Sequence, residues 1–359
     1  MIGTLAQGLF YLGTPFSALL IKKFPRYRPQ QIWLGWPICV LSLVAASFTS
    51  SVQGLIWTQG VLYGLGFVTL TLPIVSMLNE WWIARKGMAF GLISASSGVT
   101  GAALPPVISL LLRSYGHQTT LRACAIALAI LTGPLIPIFR GRLPASRHTG
   151  LPNIDIAFLN RPIFWIYVSA VLIQGIGFFL PQVFLPSYAT SISIPSTQAA
   201  LLLTSMSIAQ VLGQFAFGYM SDRNLSVGLL SGICCVAASA ASSTFWGLGT
   251  SVGLLATFSL VYGFFGFGFG TMRVAMARAV DSDPSAVFAL YAIFVFLQGV
   301  GNVLVGPLSA AMLTGSTVRE SYGARRYAGL VILTSASSLL AALIIGSWHS
   351  LKRVKVLLA

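Results

Sequence analysis

Apolar stretches long enough to cross a bilayer recur along this chain at nearly uniform spacing, separated by short polar segments rich in Arg, Lys, Pro and Gly. Eleven can be delimited: Met1–Ile21, Ile32–Phe48, Gln53–Leu78, Gly87–Leu112, Leu121–Phe139, Phe164–Tyr188, Ser196–Met220, Val227–Phe245, Gly249–Met272, Ser285–Leu313 and Tyr327–Trp348. A span needs about 20 mainly apolar residues, and lipid offers no partner for an open strand edge, so each stretch is predicted to be a helix. The pattern predicts an all-α, polytopic membrane protein. The longest polar interruption, Arg140–Arg161, separates five stretches from six. It is read as a cytoplasmic linker over residues 141–161, between an amino-terminal half (1–140) and a carboxy-terminal half (162–359).

Composition removes the soluble alternatives. Of 359 residues 56% are hydrophobic and 8% charged, with mean hydropathy +0.86, whereas soluble domains average roughly a quarter charged. The net charge of +15 raises nucleic acid as a partner. The basic residues nevertheless sit in short clusters between spans rather than along one soluble face, so no nucleic-acid partner is expected and the bilayer is. Lys22, Lys23, Arg26, Arg28, Arg85, Lys86, Arg140, Arg142, Arg147, Arg161, Arg223, Arg273, Arg278, Lys352, Arg353 and Lys355 fall in alternate loops or at their edges. Only Arg113, Arg122, Arg319, Arg325 and Arg326 lie on the other side. The positive-inside rule makes the first side cytoplasmic, which puts the carboxyl terminus in the cytosol and suits a multi-pass protein of the plasma membrane. Cys39, Cys124, Cys234 and Cys235 lie in apolar stretches without metal-ligand spacing, and are expected as small core residues. No cofactor, metal or enzymatic constellation is expected, because nothing pairs a nucleophile with a base.

The two halves share an internal repeat. A shift of 200 residues superposes Ala18–Phe24 (ALLIKKF) on Gly218–Asn224 (GYMSDRN), and one residue less superposes Val61–Phe67 (VLYGLGF) on Leu260–Gly266 (LVYGFFG). Many transporters are built from such repeats, with the substrate site near the bilayer midplane. By the same shift, Phe164–Tyr188 lacks a partner in the first half, so the expected arrangement is five plus six spans, without a first helix.

Gly218, Asp222 and Arg223 fit a glycine, spacer, Asp-Arg loop, and they stand beside EWWIARKGMAFG (Glu80–Gly91), FFLPQVFLPSYA (Phe178–Ala189) and RYAG (Arg326–Gly329). Together these segments resemble the major facilitator superfamily, and within it the fungal branch of the monocarboxylate porter family, from its second helix to its twelfth. The resemblance implies a bundle of two pseudo-symmetric halves with about 11 transmembrane helices, and a monomeric carrier of a small organic acid or related metabolite working by alternating access, in the export direction as one option. The rival expectation is a non-transporting sensor or an inactive remnant.

The same resemblance assigns a cytoplasmic gate to Gly218, Asp222 and Arg223, with Lys22, Lys23, Arg85 and Lys86 as its first-half counterpart. There the Asp position holds Lys22, so latching by opposite charge is lost, and the basic loop can equally face anionic lipid headgroups. Animal members carry an Asp and an Arg one turn apart in the eighth helix. Those places fall on Gln210 and Gln214, which can hydrogen-bond a substrate or link helices but cannot shuttle a proton. Glu80, Asp155, Asp222, Asp281, Asp283 and Glu320 all lie at span ends or in loops.

Arg273 follows the glycine-rich run GFFGFGFG, and the repeat pairs it with Pro73, inside a span. It is the candidate to hold an anionic substrate through a bidentate contact, the alternative being a side chain that snorkels to the cytosolic interface. Tyr63 and Tyr262 occupy near-equivalent places in the two halves, each followed by glycine, and Gln174, Gln298 and Asn302 are further polar groups within spans. They either line the route or pack.

Overall fold

The structure, a computed structural model, describes residues 2–82, 85–142, 156–223, 225–314, 322–324 and 326–357. Arg147, Asp155, Arg319, Glu320 and Arg325, as well as most of the expected linker, lie outside the described residues. Among the described residues no strand occurs, and the helices are α1 (Ile2–Lys23), α2 (Arg28–Ser47), α3 (Val52–Leu55), α4 (Tyr63–Trp81), α5 (Lys86–Thr132), α6 (Pro162–Phe178), α7 (Leu180–Ser191), α8 (Ser196–Ser221), α9 (Val227–Ala241), α10 (Val252–Val280), α11 (Pro284–Thr314) and α12 (Ala328–Leu357). Ten segments among the described residues are long and apolar enough to cross a membrane, and each overlaps one of the expected stretches. The remaining stretch, Met1–Ile21, is the 22-residue helix α1. It is not among the ten: Gln7, Thr14 and Pro15 interrupt its apolar face, and Lys22 and Lys23 close it.

Local chemistry sets the boundaries. Ser51, Ser226 and Ser251 precede α3, α9 and α10, and their side chains accept hydrogen bonds from the backbone N–H groups of Gly54, Leu229 and Leu254. α3 runs into α4 through a π-helical turn, Ile56–Leu62. α5 holds two spans that meet at Gly116, whose φ of +74° only glycine adopts cheaply.

Packing divides the chain into two units. The first comprises Met1–Ile83, Pro106–Asp155 and Pro284–Val303, and the second Ala84–Pro105, Ile156–Asp283 and Leu304–Ala359. This division differs from that of the repeat, because α5 and α11 each contribute to both units. In the first unit α4 lies against α1 and α2. A Cβ on Gly35 of α2 would stand 2.6 Å from Leu70 N of α4, so the two backbones touch. Ile21, Val68 and Leu72 form one buried cluster with Phe10 against it, and Ile32, Met77 and Ile136 form another under Trp36. In the second unit α8 lies against α10 and the first part of α5, and α12 against α6 and α9. Exposed Phe16, Trp33, Leu41, Leu201 and Leu343 suit a surface that meets lipid.

Candidate functional site

α10 is unusual for a helix in carrying Gly263, Gly266, Gly268 and Gly270, which in water would weaken it. In lipid, small residues let backbones approach, and α8 uses this face. A Cβ on Gly213 of α8 would lie 2.8 Å from Phe264 Cα, and one on Gly263 would lie 2.9 Å from Ala209 Cβ. This glycine-rich run is therefore where α8 and α10 meet.

Arg273 extends from the same helix, seven residues before its end at Val280, about two turns inside. Its Nε donates to the Gly270 carbonyl at 2.7 Å, one turn back toward the middle of the span. The guanidinium thus points away from the nearer helix end, opposite to the direction that snorkelling there requires. Its Nη1 is buried without a hydrogen-bond partner. An unpaired guanidinium nitrogen inside a span is costly, which marks the position as one that a ligand anion would relieve.

Beside it the chain breaks between α6 and α7. Pro181 cannot donate to the Gly177 carbonyl, and Phe179 leaves the helix with φ −93° and ψ −9°. Tyr262 of α10, fully buried, donates its hydroxyl to the Phe178 carbonyl at 3.0 Å. Broken membrane helices persist where such side chains re-satisfy the backbone. The Phe178 ring reaches within 3.6 Å of a Cβ position on Gly270 and packs edge-on against Phe267. Gln174, one turn before Phe178 on α6, is 2% exposed, and its Oε1 has no partner. Phe178 thus ties the helix break to α10 at two places, Tyr262 and Gly270, the latter being the residue whose carbonyl Arg273 holds.

The other candidates have surroundings of their own. Gln210 donates from Nε2 to Ser97 Oγ of α5 at 3.0 Å, tying α8 to α5, while Gln214 one turn on has a buried, unpartnered Oε1. Tyr63 belongs to the first unit, where it stacks on Phe67 with ring centroids 6.2 Å apart. Asn302 and Gln298 lie one turn apart in the α11 segment of that unit, each 1% exposed. Both polar atoms of the Asn302 amide and Nε2 of Gln298 lack partners.

The residues expected at a cytoplasmic gate take two forms. In the second unit the Asp222 carboxylate accepts from the backbone N–H groups of Gly87 at 2.9 Å and Met88 at 2.7 Å, two free donors of the first turn of α5. A negative charge is favourable there. Arg278 of α10 approaches the same carboxylate at 3.0 Å, at an angle that makes it an ion pair rather than an aligned hydrogen bond. Gly218 allows this closeness, since its Cβ would lie 2.7 Å from Gly87 O. Arg223 turns onto its own helix: it donates to Tyr219 Oη and lies 4.8 Å from that ring. Arg85 is exposed, and Lys86 lies within electrostatic range of Arg278. In the first unit Lys22 and Lys23 form the last turn of α1, with the Lys23 ammonium 5.5 Å from the Phe24 ring.

Sequence reasoning did not find Arg28 and Glu80, which form a buried ion pair between α2 and α4. Arg28 also reaches Ser76 Oγ at 3.3 Å, and Glu80 Oε2 accepts from Arg142 N at 2.9 Å. Nor did it single out Arg278. The signal available was an acid closing a span, Glu80 in the first half and Asp222 in the second, with more than one basic residue able to answer each. Among the described residues, no group of His, Cys, Asp and Glu could hold a metal.

Three comparisons bear on this arrangement. The model of the Major Facilitator Superfamily matches residues 1–286. The chain is 29% identical to monocarboxylate transporter 4 of Rattus norvegicus, over 94% of this chain and 73% of that protein. It is 26% identical to the MFS-type transporter pynF of Aspergillus niger, over 93% of this chain and 76% of that one. Among solved structures, the human organic anion transporter MFSD10 superposes with a TM-score of 0.70 at 14% identity, covering 96% of this chain and 82% of the other. The fucose:proton symporter of E. coli gives 0.68 at 14% identity, covering 95% of this chain and 88% of the other in the outward conformation. The two structural likenesses speak for the fold.

Proposed function

Because the chain belongs to the Major Facilitator Superfamily, on its monocarboxylate-porter-like side, and is a multi-pass secondary transporter of small organic substrates, we propose that it moves a small organic anion by alternating access. We assign Arg273 as the group that holds the anion. The observation that carries this is the buried, unpartnered Nη1 of Arg273, turned into the span beside the α6–α7 break. A carboxylate can take two parallel N–H bonds from a guanidinium. Gln174, whose buried Oε1 has no partner, is assigned to a neutral part of the substrate, and Tyr262 positions the broken helix. Gln210, Gln214, Tyr63 and Asn302 remain assigned to the route on their polar character within spans. Relatives named as monocarboxylate transporters favour a carboxylate as the anion. A non-transporting remnant is not favoured, since the family match runs through both halves.

Residues 1–140 and 162–359 serve as the moving halves, in a monomer of the plasma membrane whose Lys22, Asp222 and carboxy-terminal ends face the cytosol. Among the described residues every carboxylate lies at a helix end: Glu80, Asp222, Asp281 and Asp283. Coupling to a proton generally uses an ionisable group inside the membrane. We infer that substrate charge drives the cycle instead, export of an anion gaining about 2.3 kcal/mol per 100 mV.

The test is transport of radiolabelled mono- and dicarboxylates in proteoliposomes, with potential and pH gradient imposed separately. Flux should follow the potential, and Arg273→Gln should lower it about a hundredfold, with Arg273→Lys between the two. Full activity of Arg273→Gln removes the assignment. Accumulation that follows the pH gradient at zero potential, after correction for weak-acid leak, removes the charge-driven cycle.

A further inference from the structure

The loop between α1 and α2 is a cationic, aromatic shelf that no acid among the described residues neutralises. Lys22, Lys23 and Arg26 fall within five residues, and none forms an ion pair with a carboxylate among the described residues. The acid of that helix end, Glu80, is already bonded to Arg28 and to the backbone of Arg142. Lys23, Phe24, Arg26 and Tyr27 are exposed, and the Phe24 and Tyr27 rings meet edge-on at 6.3 Å. The shelf continues without interruption into apolar surface. Phe16, Leu19 and Leu20 are exposed on the last turns of α1, and Trp33 and Leu34 on the second turn of α2. In a bilayer these side chains meet acyl chains, which puts the three cations and two aromatic rings at headgroup depth.

We propose that this shelf is a binding site for an anionic phospholipid, whose headgroup phosphate supplies the negative charge that the chain lacks at Lys22. In the second unit the corresponding loop carries its own anion, Asp222, already shared by Gly87, Met88 and Arg278. At the first loop the anion comes from the membrane. The acyl chains lie along Phe16, Leu20 and Trp33, and the headgroup lies among Lys22, Lys23 and Arg26. That continuity of apolar and cationic surface selects a lipid over an acidic peptide or free phosphate, which would use the cations alone. Residence in the cytosolic leaflet follows from the orientation proposed above. The binding itself is tested independently of that orientation, because a nanodisc presents lipid on both faces.

The purified chain is placed in nanodiscs of phosphatidylcholine containing a minor fraction of phosphatidylserine, released into mild detergent, and its retained lipids are counted by native mass spectrometry. Wild type should retain phosphatidylserine over phosphatidylcholine by ten-fold or more relative to the nanodisc composition. Each basic residue near an anionic surface contributes about five-fold. The Lys22→Gln, Lys23→Gln, Arg26→Gln triple variant should lose that preference at unchanged thermal stability, and Lys22→Arg, Lys23→Arg should keep it. Unbiased retention by wild type, or preference surviving in the triple variant, overturns the proposal. So does displacement of the lipid by millimolar inorganic phosphate or by polyglutamate at equal ease. An orientation experiment, labelling a cysteine placed at Arg26 from each side, can fail without touching this result.

Discussion

At one end of the first unit a single acid, Glu80, is held by Arg28 and the backbone of Arg142, while Lys22 and Lys23, close to Arg28 in sequence, form no ion pair with a carboxylate among the described residues. At the matching loop of the second unit the acid stands where the repeat has Lys22: Asp222 sits past the end of α8 and reaches the first turn of α5 and Arg278. The difference lies in where each anion is placed. Glu80 locks two helices, α2 and α4, at their common end, and both partners are desolvated. Asp222 is as buried as Glu80, but it bonds backbone donors of another helix and an Arg278 that is 28% exposed, so water can reach that partner and replace the contact. The first arrangement suits a fixed joint and the second a contact made and broken in a cycle.

The largest effect should come from breaking the fixed joint. Glu80→Gln leaves a buried guanidinium unpaired and should cost about 3–5 kcal/mol of stability. Arg28→Met combined with Glu80→Met should recover much of this, as read from thermal unfolding in detergent. A single variant as stable as wild type would show that the pair is hydrated and no joint at all. Next in size, Asp222→Asn keeps one acceptor for the α5 donors but removes the ion pair with Arg278, so turnover in vesicles should fall about ten-fold while apparent affinity changes little. A loss confined to affinity would place Asp222 at the substrate instead of the gate. Removing the hydroxyl in Tyr262→Phe frees the Phe178 carbonyl and should cost about 1 kcal/mol; a larger loss of transport than of stability would make the α6–α7 break a moving part. The smallest effect is expected at the loop without an acid: Lys22→Gln and Lys23→Gln should each change stability by less than about 0.5 kcal/mol in detergent. A substantial loss there would reveal an anion within the chain.

Much of the fold was legible before the structure, and the candidate site only in part. Arg273 was marked as intramembrane by its repeat partner Pro73, but whether its side chain ran inward or out was open until the bond to Gly270 fixed it. Tyr262 could line the route or pack, and its hydroxyl is bonded to the Phe178 carbonyl. Gln210 and Gln214 could bind substrate or link helices, and Gln210 bonds to Ser97 of α5. In each case the residue type restricted the possible partners, and backbone geometry chose among them.

What the sequence determined by itself is whatever a window of some 20 residues can decide. Spans are set by local apolar content and their ends by Pro, Gly and Ser, because transfer into lipid is close to additive along a helix. What only the tertiary structure decided is which charge answers which. Arg28 and Glu80 stand 52 positions apart, and Asp222 and Met88 stand 134 apart. With 21 basic residues and 6 acidic ones, the chain offers many pairings of equal local merit. Coulomb and hydrogen-bond energies fall off within a few ångströms, so those pairings are sorted only when glycine-lined helices such as α8 and α10 bring backbones into contact.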